Sequence, residues 1–180
     1  MKGYKQQLIN MTYIPLFAVF IAVCSWITVP LTVPVTLQTL AVFVTAGLLG
    51  TRRGVLAVLL YILLGAAGIP VFSNFNSGIS YILGQTGGYI IGFVFSAAAI
   101  GIITGRFGKS PRVMIIAMVT GLLVCYIFGT AWFYAVYTHN TGPVGIFTVL
   151  MWCVIPFVIP DIVKILIAIL IIERVGKYVK

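Results

Sequence analysis

The sequence predicts an all-α polytopic membrane protein, a six-transmembrane-helix bundle forming a single domain over residues 1–180 with both termini cytoplasmic. Three observations predict it. Of 180 residues, 62% are apolar and 7% charged, whereas a water-facing domain carries roughly 25% charged residues, so lipid must cover most of this surface. At about 20 residues per spanning helix plus short connections, the length divides into six segments. The basic residues also segregate: Lys2 and Lys5, Arg52 and Arg53, Arg106, Lys109 and Arg112, then Arg174, Lys177 and Lys180 all fall on one side of an alternating six-span map. The opposite connections, 30–34, 70–78 and 138–148, hold no Asp, Glu, Lys or Arg. By the excess of Lys and Arg found in cytoplasmic loops, the basic side is cytoplasmic.

The expected spans, in order, are 13–29, 35–49, 54–68, 79–105, 113–137 and 158–172. The first follows Lys2 and Lys5 as a signal sequence would, but further membrane-length segments follow at once, so it is retained as a span. The second, third and sixth are short: 15 residues of helix cover about 22 Å of a layer near 30 Å thick, which requires tilt, kinking or shielding by neighbours. Between the fifth and sixth, His139-Asn140-Thr141-Gly142-Pro143 is a turn signal, and 145–154 is apolar yet too short to cross and return. This stretch reads as an outer loop with a short interfacial or re-entrant helix, suited to a lid or to a cap on the bundle.

One charge pair falls inside an apolar run. Asp161 and Lys164 are three apart in the sixth span, on adjoining parts of one helix face. Ionised groups are costly in hydrocarbon, so the pair must face the bundle interior or a polar cavity. Pro160 suits a first helical turn, which puts the helix start beside it and Asp161 in the electropositive first turn. Two readings follow, a structural ion pair or a binding cavity open to the outside. The cost of intramembrane charge favours the cavity. Gln38 and Thr39 near the outer end of the second span, Asn74 and Asn76 in the outer loop, Tyr81, Gln85 and Tyr89 in the fourth span and Trp132, Tyr134 and Tyr137 in the fifth would supply amide groups and aromatic walls. That combination suits a small amphipathic ligand, although interfacial belts also use such aromatics.

Other chemistry is excluded. Cys24, Cys125 and Cys153 are far apart without a Cys/His cluster, so neither disulfide, metal nor other cofactor is expected. His139 is solitary, and Asp161 and Glu173, the two acids, are far apart along a helix; no catalytic constellation forms, and the chain is not an enzyme. Gly105-Arg106-Phe107-Gly108-Lys109-Ser110 lacks the glycine spacing of a phosphate-binding loop and reads as a basic turn. The basic residues form no polar face for nucleic acid. Ala18 and Ala22, and Gly84, Gly88 and Gly92, repeat every four residues, as close helix contacts in membranes do. Such a stripe serves packing inside the bundle or docking of another membrane protein.

A wider pattern now emerges from 34–42 (PVTLQTLAV), 60–72 (LYILLGAAGIPVF), 84–93 (GQTGGYIIGF), Gly129-Thr130-Ala131-Trp132, and Pro156-Phe157 leading to Asp161 and Lys164. In this order and over nearly the whole chain, it resembles the biotin transporter family, the membrane-embedded substrate-binding subunits of energy-coupling-factor transporters. The resemblance implies high-affinity capture and uptake of biotin across a prokaryotic inner or plasma membrane. It further implies work with a transmembrane coupling subunit and two cytosolic ATPase subunits. It implies Asp161 and Lys164 as ligand residues, with Asn76, Asn74, Gln38, Tyr89, Gln85 and Trp132 around them, and Ala18 and Ala22 as the coupling-subunit contact. Two positions depart from the family pattern: Gln85 where proline is usual, and Ile159-Pro160 where Pro-Gly commonly precedes the aspartate. The alternative function is a self-sufficient proton- or ion-coupled carrier of a small vitamin. A carrier commonly shows an internal repeat, which is not evident here.

Overall fold

The computed structural model of the chain describes residues 2–178, with side chains from residue 12 onward. Expectations for the Lys2 and Lys5 side chains and for Lys180 lie outside the described residues. In order, the elements are α1 (Lys2–Trp26), β1 (Thr28–Val29), β2 (Val35–Thr36), α2 (Gln38–Ala66), a 3-10 turn (Ser73–Phe75), α3 (Ile79–Ile82), α4 (Gly87–Phe107), α5 (Pro111–Thr141), α6 (Ile146–Cys153) and α7 (Ile155–Val175). α2, α4, α5 and the run Ile146–Val175 are each long and apolar enough to cross a membrane, and 12–26 forms a shorter apolar helix.

α2 is two helices. Gly50 lies at φ 75° and ψ −173°, a region open to glycine because a Cβ would crowd the backbone. The chain doubles back there: a Cβ added at Gly54 would stand 3.1 Å from the Ala46 Cα, although residues eight apart in a straight helix are about 12 Å apart. The arms are therefore 38–49 and 51–66. Residues 40–49 are all buried, as expected of a helix that is apolar around its whole circumference. α1, α4 and α7 pack on α2, and α5 packs along α4. The short first arm is thus shielded by its neighbours, and the main core gathers around it.

The bundle has two chemically distinct ends. At one, the Gly50 turn, the α4–α5 turn and the end of α7 meet: Lys109 Nζ donates to the Leu48 carbonyl at 3.1 Å, and a Cβ on Gly101 would strike Thr51. Lys109, Glu173 and Lys177 line one cleft there, and burial holds the Lys109 pKa below the ordinary lysine value. Arg52, Arg53, Arg106 and Arg112 lie on these same turns, and Arg174 lies in the last turn of α7. At the other end, β1 and β2 pair antiparallel with Thr28 opposite Thr36. Trp26 Nε1 bonds the Pro70 carbonyl at 3.0 Å, and its ring stacks on Phe75 at 5.0 Å.

Three element boundaries differ from the expected spans. The first helix stops at Trp26 and the second starts at Gln38, because Thr28–Val29 and Val35–Thr36 pair as a hairpin. The fourth is broken: α3 ends at Ile82 and α4 starts at Gly87, with a tight approach in which a Cβ on Gly87 would overlap the Ile82 carbonyl. The last helix starts at Ile155, not beside Pro160; Pro156 takes the first-turn place and Pro160 lies inside. Asp161 is consequently beyond the first turn, and the helix-end field is not what stabilises it. The expected short helix of the outer loop is α6.

A candidate ligand chamber

At the end opposite the basic turns, α2, α4, α5 and α7 enclose a chamber, roofed by the segment after β1 and by the 3-10 turn. The start of α2 brings Thr36, Gln38 and Thr39 to it. α4 contributes Tyr89, α5 contributes Tyr126 and α7 contributes Asp161 and Lys164. Its volume is about 570 Å³ with the mouth included, within the usual range for small-molecule sites.

The charged pair lies at the chamber wall. Asp161 is 0% exposed and Lys164 5%, and Lys164 Nζ stands 2.7 Å from Asp161 Oδ1. Thr39 completes a triangle: its hydroxyl donates to Asp161 Oδ1 at 2.9 Å and accepts from Lys164 Nζ at 3.0 Å. From α5, the Tyr126 hydroxyl donates to Asp161 Oδ2 at 2.6 Å. Buried charge persists only when paired and hydrogen-bonded, and here both conditions are met. Three bonds, from Thr39 on α2, Tyr126 on α5 and Lys164 on α7, replace the helix-end stabilisation expected for Asp161.

Around this cluster the walls are held by their own contacts. Gln38 Nε2 donates to the Tyr61 hydroxyl at 2.5 Å, and Thr36 donates to Gln38 Oε1 at 3.0 Å. Tyr61 meets Phe72 edge to face, and Phe72 stacks on Tyr81. The Tyr81 and Ser73 hydroxyls are 2.6 Å apart. Tyr89 pairs with Thr130 at 2.9 Å, and its ring covers Gly129, where a Cβ would overlap it.

The expected site residues divide into three groups. Asp161, Lys164, Gln38 and Tyr89 line the chamber. Asn74, Asn76 and Gln85 line an outer vestibule of about 780 Å³, which shares Pro34, Tyr81 and Thr86 with the chamber. Asn76 also donates to the Ser73 carbonyl at 2.8 Å and so braces its own loop. Trp132 lines neither space: its indole bonds the Gly84 carbonyl at 3.0 Å and packs over Gly88, fixing the break between α3 and α4. Ala18 and Ala22, expected as the coupling-subunit contact, are 0% and 4% exposed and pack in the core of the bundle. The outward face of α1 is Leu16, Val19 and Val23. Tyr126 was not expected; the available signal was a phenol in mid-span, which needs a polar partner when buried. Among the described residues no three His, Cys, Asp or Glu side chains gather as a metal site would.

Comparison with known proteins agrees with the architecture. The BioY family profile matches residues 1–180. The biotin transporter BioY of Thermotoga maritima is 38% identical over 163 residues, covering 90% of this chain and 92% of its own. A probable biotin transporter BioY of Pyrococcus horikoshii is 37% identical over 166 residues, with coverages of 92% and 94%. Among solved structures, the S-component for biotin from an ECF-type ABC transporter superposes with a TM-score of 0.86 at 24% identity, covering 96% of this chain and 93% of that one. The last likeness speaks for the fold.

Proposed function

The chain belongs to the BioY family, and from that premise we propose that it captures biotin with high affinity as the substrate-binding component of an energy-coupling-factor transporter. It is a multi-pass membrane transport protein and not an enzyme. The observation that carries the reading is the Asp161–Lys164–Thr39–Tyr126 cluster facing a chamber with apolar walls. Biotin matches this chemically: a planar ureido group with N–H donors and a carbonyl acceptor, an apolar bicycle and chain, and a terminal carboxylate.

Asp161 and Lys164 stand 2.7 Å apart, so both address the same end of an elongated guest. Their charges already compensate each other, which suits a neutral ureido edge and leaves Lys164 a poor counter-ion for the carboxylate. In this reading the carboxylate points to the vestibule of Asn74, Asn76 and Gln85, which is lined by no charged residue and lies open to solvent. Burial of the bicycle against Tyr89, Ile90 and Phe93 supplies affinity without charge.

The membrane arrangement follows the two ends. Read with α2 as two arms, α1, both arms, α4, α5 and α7 make six spans with both termini cytoplasmic and the chamber facing outward. Release and energy supply then fall to a transmembrane coupling subunit and two cytosolic ATPase subunits. Equilibrium binding by the purified chain tests the first part: biotin binds saturably, whereas thiamine and riboflavin do not. Equal binding of the three vitamins sinks the reading. Uptake by the chain alone, driven by an ion gradient, would instead favour a self-sufficient carrier.

A further inference from the structure

We propose that Tyr126 is a positioning residue of the ligand site, fixing the Asp161 carboxylate so that one acceptor position meets the guest, while its ring separates the chamber from lipid. The assignment rests on the biotin-capture reading. Each carboxylate oxygen offers about two lone-pair positions. Asp161 Oδ1 is filled by Lys164 and Thr39, and Oδ2 takes Tyr126 alone. One position on Oδ2 is left. Lys164 uses two of its three N–H donors, on Asp161 and Thr39, leaving one. The charged pair thus has one acceptor, on Asp161, and one donor, on Lys164, to give, the complement of a single N–H and carbonyl edge of a cyclic urea. Without the Tyr126 hydroxyl, Oδ2 loses its tether, and the carboxylate is held only through Oδ1 by Lys164 and Thr39.

The position of Tyr126 adds a second role. It lines the chamber and also an apolar groove of about 900 Å³ between α5 and α6, with Leu123, Ile127, Ile146 and Leu150. These four are exposed, Ile127 at 72%, as residues facing lipid are. A phenol suits such a partition because its hydroxyl serves the buried carboxylate while its ring tolerates hydrocarbon.

The test uses the purified full chain with biotin and with biotin methylated on either ureido nitrogen, comparing wild type, Tyr126→Phe and Tyr126→Leu. We expect Tyr126→Phe to melt close to wild type without ligand and to bind biotin roughly tenfold more weakly, as loss of a hydrogen bond to a charged group implies. Methylation of the nitrogen that Asp161 meets should weaken wild type strongly and the variant much less, because the two changes act through one contact. Equal biotin affinity in wild type and Tyr126→Phe overturns the proposal. So does a loss of the same factor for biotin and both methylated ligands, the mark of a merely structural role. Failure of both variants to fold overturns it too, since the hydroxyl would then serve the fold. Absence of biotin binding by the unaltered chain overturns the capture reading and this assignment together.

Discussion

At the residue scale, Lys164 and Asp161 are worth little to the fold as a pair and much as partners. Removing one member leaves an uncompensated buried charge, which costs about 3–5 kcal/mol, whereas exchanging both for apolar side chains of similar volume is close to neutral. Lys164→Met should therefore lower the melting temperature sharply. The double change Asp161→Leu with Lys164→Met should restore most of it and still bind no biotin, as thermal unfolding and titration on the same samples would show. A double variant that stays unstable would mean the pair is structural. With the carboxyl end in the vestibule, as proposed, biotin amide should bind nearly as well as biotin, since no cation lines that space; strong discrimination would put Lys164 at that end. The inward burial and pairing of Asp161 and Lys164 were legible in the sequence because two charges inside an apolar run have few permitted explanations. Tyr126 was not legible. Nine tyrosines look alike along the chain, and only the register of α5 against α7 puts this hydroxyl 2.6 Å from the carboxylate.

At the element scale, boundaries were less readable than the elements themselves, for specific reasons. Pro156 and Pro160 both satisfy the preference for a first turn, and the sequence near them does not decide; the structure starts α7 at Ile155. The hairpin 28–36 hid inside two apolar runs because β-branched Thr and Val suit either reading in so short a stretch. The short α6 was readable, since turn residues precede it and its length forbids crossing. Two glycines show where elements govern the site. Gly129→Val would push the Tyr89 ring into the chamber, so biotin affinity should fall by an order of magnitude or more while the helices persist, checked by titration and circular dichroism. Gly50→Ala imposes an unfavourable φ on the reversal within α2. It should cost about 1–3 kcal/mol and lower the melting temperature with little change in affinity, because the chamber lies at the far end of that arm.

At the scale of the whole molecule, the separation of charge is the property with the broadest consequences. Arg52, Arg53, Arg106, Lys109, Arg112, Arg174 and Lys177 gather at one end through turns far apart in sequence, and the vestibule at the other end carries none. A cysteine placed at Asn140, in the last turns of α5, should react with an impermeant thiol reagent on intact cells. One placed at Lys177 should react only after the membrane is opened. The native Cys24, Cys125 and Cys153 are buried and should stay silent. Labelling of both engineered sites from the same side would refute the topology. This polarity was readable directly from the order of charges along the chain, whereas the doubling of α2 depended on a backbone angle at Gly50 that hydropathy does not record.

The enclosure of residues 40–49 sets how the protein answers its surroundings. A rod that touches no lipid does not feel whether the acyl chains around it are long or short. Mismatch in bilayer thickness would be absorbed by tilt of the outer helices, while Thr39 stays seated against the chamber at the head of that rod. Vitamin affinity should accordingly vary little across reconstituted membranes of different thickness, even where overall stability does not.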